Sequence, residues 1–124
     1  MAVTQNPFCD PVQFGLAFDA TANSTAEANI RGGPCTLYAI EVVNPSGGGA
    51  TDVYIKLYDA TSIVAGTTAP DFILLVKTAT TVRIQFGTSG QSFINGLTAR
   101  CVQNAGTGGT TDPGTTVTLG IIAS

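Results

Sequence analysis

Apolar and polar residues alternate with a period of two in five short stretches of the chain, at residues 12–18, 38–42, 53–58, 82–86 and 117–121. Successive side chains of a β-strand point to opposite faces, so each stretch predicts a strand with one buried and one solvated face. In the first stretch the expected buried side chains are Val12, Phe14, Leu16 and Phe18. This pattern is typical of antiparallel sheets that pack on one side only.

Three other stretches depart from simple alternation. Residues 72–77 are apolar on both faces, which places them either in the middle of a sandwich or in a subunit contact. Residues 93–102 read as one long strand with a bulge at Asn95-Gly96, with a two-residue hairpin turn at that dipeptide as the alternative. Residues 20–30 are the only weak helix candidate, and their Thr and Asn content argues against a helix.

The stretches between the predicted strands are rich in glycine, at residues 44–49, 87–90 and 106–114. About eight short strands with such turns predict an all-β fold, an antiparallel β-sandwich of jelly-roll-like type. A length of 124 residues fits a single domain, 1–124. Residues 1–10 lack alternation, and we expect them to form an N-terminal arm that packs on a neighbour.

The charge and hydrophobicity of the chain limit the classes of partner that we expect. The net charge is -3 and the five basic residues are scattered, whereas nucleic-acid binding needs clustered cations. No apolar run reaches the length of a membrane span, and residues 1–7 have no secretory signal features. We therefore expect a protein made in the cytosol, with neither nucleic acid nor membrane as a partner.

The residues that usually carry catalysis are scarce. The chain has no histidine, so its cysteines and serines lack the usual general base, and no lysine follows a glycine-rich stretch as in phosphate-binding loops. We expect no enzymatic activity, no cofactor and no metal. Cys101 is in phase with Leu97 and Ala99 and is predicted to be a buried hydrophobic residue, while a Cys9–Cys35 disulfide stays open as a lesser alternative.

Two groups of residues are candidates for contacts with other proteins. Tyr54, Lys56 and Tyr58 share the predicted solvated face of one strand, where they form either ordinary cross-strand pairs or a contact patch. Phe8 and Cys9 lie in the predicted N-terminal arm and are the other interface candidates.

Three sequence motifs resemble those of a known family, and the similarity covers roughly residues 35–103. They are the stretch YIKLYDA at residues 54–60, the turn GTTAP at 66–70 and the strand-like FINGLT at 93–98. Together they are similar to motifs of the small β-sandwich decoration (cement) or head-spike proteins of tailed bacteriophages.

This resemblance implies a non-enzymatic structural protein that binds and stabilises the head shell. The implied partners are the major capsid protein of the virion and further copies of the chain, as a homotrimer. The implied location is the head surface of the virion, after synthesis in the cytoplasm of the bacterial host. The alternative is a host- or glycan-binding module of a head or tail fibre, although the loops at 45–50 and 106–114 contain no aromatic residue that would suit glycans.

Overall fold

A computed structural model describes residues 15–124, and within this range the chain forms eight β-strands and no helix. The strands are β1 (Gly15–Ala22), β2 (Cys35–Asn44), β3 (Val53–Asp59), β4 (Phe72–Val76), β5 (Thr80–Gln85), β6 (Gln91–Phe93), β7 (Leu97–Val102) and β8 (Val117–Ala123). The prediction of an all-β chain with about eight strands is confirmed.

The strands pair into two antiparallel sheets, as expected for a sandwich. The larger sheet has the order β1-β8-β2-β5, and β6 pairs with β2 on the same side as β5. The smaller sheet has the order β4-β3-β7. All six pairs formed by these strands are antiparallel.

The core lies between the inward faces of the two sheets. The buried side chains include Val53, Ile55 and Leu57 from β3 and Val117, Leu119 and Ile121 from β8. The alternation of residues 53–58 and 117–121 therefore predicted these inward positions correctly. Burying about ten such aliphatic side chains is the main term that stabilises a domain of this size.

Cys101 belongs to this core, as its phase predicted. It is completely buried, and burial raises the pKa of its thiol to about 12. Burial also raises the pKa of Cys35, and both cysteines are free thiols. A thiol held protonated and out of solvent is a packing group, since only the thiolate is a nucleophile. Cys9 lies outside the described residues.

The prediction of one bulged strand over residues 93–102 is wrong. The chain leaves the larger sheet at the end of β6 and enters the smaller sheet with β7, so Asn95-Gly96 is a crossing between sheets. Gly96 has a positive φ of 150°, and the backbone N–H of Asn95 donates to Asp59 Oδ1 at 2.8 Å. Alternation continues on both sides of the crossing, which is why the sequence pattern did not reveal it.

Residues 23–30 run beside the free edge of β7. Glu27 and Ala99 exchange both backbone hydrogen bonds, at 2.8 and 3.1 Å, and the Cys101 amide donates to the Asn23 carbonyl at 2.8 Å. The weak helix candidate at 20–30 is therefore not a helix, in line with its composition: residues 20–22 end β1, and residues 23–30 form an irregular extended segment. This segment covers one edge of the smaller sheet.

Candidate interaction surfaces

The outer face of the smaller sheet carries the three candidate contact residues of β3, but two of them are not accessible. Lys56 is 0% exposed and Tyr58 is 2% exposed, while Tyr54 is half-buried. The prediction that these three residues share a solvated face is wrong. The other two interface candidates, Phe8 and Cys9, lie outside the described residues.

Two loops bury the part of this outer face that β3 and β7 form. Lys56 Nζ donates to the carbonyl of Gly106 at 2.5 Å, and Arg100 Nη2 donates to the carbonyl of Gly109. The loop after β3 joins this cover, because a Cβ placed on Gly66 would lie 3.3 Å from the Thr110 methyl group. The cover thus consists of residues 60–70 and 103–116, which we call the loop cover.

The loop cover hides two neighbouring cations. Lys56 and Arg100 are direct partners in the β3–β7 register, and neither forms an ion pair with a carboxylate in the described part of the chain. Arg100 is 2% exposed, and its Nε and Nη1 have no hydrogen-bond partner there. Burial lowers the pKa of Lys56, and the nearby guanidinium of Arg100 lowers it further. Burying a charge without a carboxylate partner is destabilising. The two cations therefore contact the loop cover while their burial lowers the stability of the fold.

The outer face of the larger sheet has no such cover within residues 15–124. Leu16 and Phe18 of β1 are 72% and 65% exposed, and Ile122 of β8 is 42% exposed. The prediction that Leu16 and Phe18 belong to the buried face is wrong: Ala17 faces the core, and its two neighbours face outward. Val12 and Phe14 lie outside the described residues.

These outward side chains form a shallow apolar groove of about 310 Å³. Phe18 lies against the groove floor at Gly120, since a Cβ placed on this glycine would lie 4.0 Å from the Phe18 ring. Arg83 and Glu41, which form an exposed ion pair, border the groove on the β5 side. A continuous exposed apolar surface of this kind is typical of sites that bind another macromolecule.

Strand β4 forms a second accessible apolar surface, which we call the β4 edge and define as residues 71–77. β4 pairs with β3 alone among the described strands, so it is an edge strand and not the middle of the sandwich. Phe72, Ile73 and Leu75 are 39%, 48% and 41% exposed. Of the two alternatives for residues 72–77, the position in the middle of the sandwich is wrong.

The sandwich is incompletely closed beside this edge. A crevice of about 120 Å³ lies between β4 and β5 and is lined by apolar side chains from both sheets. Its inward-facing residues Leu74, Ile84 and Phe86 are only half-buried. Core residues thus stay partly in contact with water on this side of the molecule.

Within residues 15–124, no three His, Cys, Asp or Glu side chains come close enough to hold a metal ion. The same residues contain no helix long and apolar enough to cross a membrane.

No protein-family model, no curated protein and no solved structure matches the chain. The structure itself therefore defines the class of protein, which is an antiparallel β-sandwich with two accessible apolar surfaces.

Proposed function

We propose that the chain is a non-enzymatic structural protein of a tailed bacteriophage, a decoration protein that binds the head shell as an oligomer. The observation that carries this proposal is the uncovered apolar groove on the outer face of the larger sheet, formed by Leu16, Phe18 and Ile122. It supplies a binding surface on a rigid framework, as a protein that acts by attachment requires. The resemblance of the motifs at residues 54–60, 66–70 and 93–98 to those of phage decoration proteins is the second ground for the proposal.

Strand order also supports the proposal, because it fits a jelly roll. β5 and β6 both pair with β2 and can be counted as one interrupted strand, and residues 23–30 can be counted as a strand beside β7. The two sheets then have four strands each, in the orders β1-β8-β2-β5/β6 and 23–30-β7-β3-β4. Jelly rolls of this kind are frequent in viral capsid proteins and in lectins.

The proposed partner is the major capsid protein, which the groove would contact through its apolar side chains. A shell offers many identical sites, and an oligomer that engages several of them gains avidity without a large contact at each. Residues 1–10, which include Phe8 and Cys9, are proposed to make an additional contact with the shell or with a neighbouring copy.

The test is co-sedimentation of the purified protein with phage heads that lack it. We expect wild-type protein to sediment with the heads at a saturable copy number, and Phe18→Lys to lose most of this binding, since Phe18 is 65% exposed in the groove. Thr116→Lys, at an exposed position outside the groove, is the matched control and should bind like wild type.

Two other outcomes are informative. Full binding by Phe18→Lys together with loss of binding on deletion of residues 1–10 would move the contact from the groove to the arm. Absence of binding to heads together with binding to host-cell glycans would contradict the decoration role and favour the fibre module.

A further inference from the structure

The β4 edge has a sequence that is complementary to itself. It begins with an acid, Asp71, and ends with a base, Lys77, and the five residues between them are all apolar. Natural edge strands usually carry a charge, a proline or a bulge that prevents pairing with another chain. The five residues of β4 contain no charge or proline, and the β3–β4 register has no shift.

From these features we infer that two copies of this chain pair antiparallel through β4 about a two-fold axis at Leu74. This register places Asp71 opposite Lys77 of the second copy, and Ile73 opposite Leu75 of the second copy. The symmetry repeats each of these contacts twice. Opposite charges and apolar side chains placed directly across an antiparallel pair both stabilise the pairing.

The surroundings of β4 fit a second copy of the chain. Asp71 and Lys77 are both exposed, and the existing ion pair of Lys77 with Asp52 is long, at 3.4 Å, with both side chains accessible. Lys77 can therefore turn toward a second carboxylate at little cost. The second β4 would also cover the mouth of the crevice in which Leu74, Ile84 and Phe86 are half-buried.

The pairing would extend the smaller sheet across both copies and remove the unpaired backbone groups of two edges at once. An isologous contact of this kind closes after two copies and does not propagate into a filament. It implies an even copy number, which differs from the trimer implied by the resemblance. This inference concerns self-association alone, so it stands or falls separately from binding to the phage head.

Charge reversal tests the register directly. Asp71→Lys would place two lysines opposite each other, and Lys77→Asp would place two aspartates opposite each other. Each single variant should weaken the dimer about tenfold, because the repulsion occurs twice. The double variant Asp71→Lys/Lys77→Asp restores opposite charges in the same register, and we expect its dimerisation to return to near the wild-type level.

The measurement is sedimentation velocity of the full chain over a concentration series, with urea unfolding to confirm that each variant is folded. This control is needed because Asp71 Oδ2 also accepts a hydrogen bond from the Asp59 amide at 2.7 Å. A monomer at all concentrations, a trimer that both single reversals leave intact, or a double variant no better than the single ones would overturn the inference.

A cysteine at the proposed axis provides a second test that does not depend on charge. In the Cys9→Ser background, Leu74→Cys should form a disulfide-linked dimer on mild oxidation, because directly opposed residues have the spacing that a disulfide needs. Leu75→Cys is the matched control, since the two copies of residue 75 lie diagonally apart at about 7 Å and should link poorly. Equal linking of both variants, or linking of neither, would contradict the register.

Discussion

On both sheets the outward side chains alternate with core residues along the strands, but one outer face is buried and the other is accessible. On the smaller sheet, Lys56, Tyr58 and Arg100 alternate with core residues and are nevertheless buried. On the larger sheet, the apolar Leu16, Phe18 and Ile122 occupy outward positions and stay accessible. The charged face is covered and the apolar face is open, which is the reverse of what hydrophobicity alone would produce.

The difference lies in the loops and not in the strands. The loop cover folds over the smaller sheet and is tied down by donors from two strands, Lys56 to Gly106 and Arg100 to Gly109. No described loop reaches across the groove of the larger sheet. Apolar side chains that a protein leaves uncovered in this way are candidates for contact with a partner. The two buried cations instead contact the loop cover of their own chain.

The largest expected effect is a difference in stability between two variants, each of which truncates one aromatic residue on one of the two outer faces. Tyr58→Ala should lower the free energy of unfolding by about 3 kcal/mol, because it removes a nearly fully buried ring. Phe18→Ala should change it by less than about 0.5 kcal/mol, because Phe18 is 65% exposed. Urea unfolding at a concentration where the chain is monomeric measures both. Equal losses would mean that the two faces do not differ in burial.

A smaller effect is expected from removing one of the buried cations. Lys56→Met keeps the length of the side chain and relieves both the unpaired charge and its proximity to Arg100. We expect the free energy of unfolding to rise by about 1 kcal/mol at neutral pH. Lys77→Met, at an exposed position, is the control and should be neutral within about 0.5 kcal/mol. A clear loss of stability in Lys56→Met would show that the Gly106 contact outweighs the cost of burial.

The smallest effect is a pH dependence of that difference. Burial lowers the pKa of Lys56 in the folded state. At alkaline pH below the ordinary lysine pKa, the unfolded state therefore binds more protons than the folded state does. The stability of wild type relative to Lys56→Met should therefore rise with pH between the lowered folded pKa and the ordinary lysine pKa. Comparing the two proteins cancels the opposing change from Tyr58, whose pKa is raised by burial. A pH-independent difference would contradict an unpaired charge at Lys56.

Alternation predicted the strands well, because a strand that packs on one side must alternate. It located the inward residues of β3 and β8 and the burial of Cys101. It misjudged β1, since Leu16 and Phe18 are apolar but face outward. Hydrophobicity marks a side chain that avoids water, and it does not tell whether the core or a partner covers it.

The remaining errors have similar causes in tertiary structure. Burial of Lys56 depends on a loop about fifty residues away in sequence, whose contact with β3 no local pattern encodes. The crossing at Gly96 joins two alternating stretches that belong to different sheets. The phase of Leu97, Ala99 and Cys101 did mark the core positions of β7. The edge position of β4 could not be predicted, because alternation indicates which residues form a strand but not where that strand lies in the sheet.

Hydrogen–deuterium exchange at low and high protein concentration tests most directly which surfaces of the sandwich are free to make contacts. The account predicts that the backbone amides of β4 exchange more slowly at high protein concentration than at low concentration. The amides of β7 should exchange at the same rate at both concentrations, because residues 23–30 already cover the edge of this strand. Exchange in β4 that is independent of concentration would contradict it.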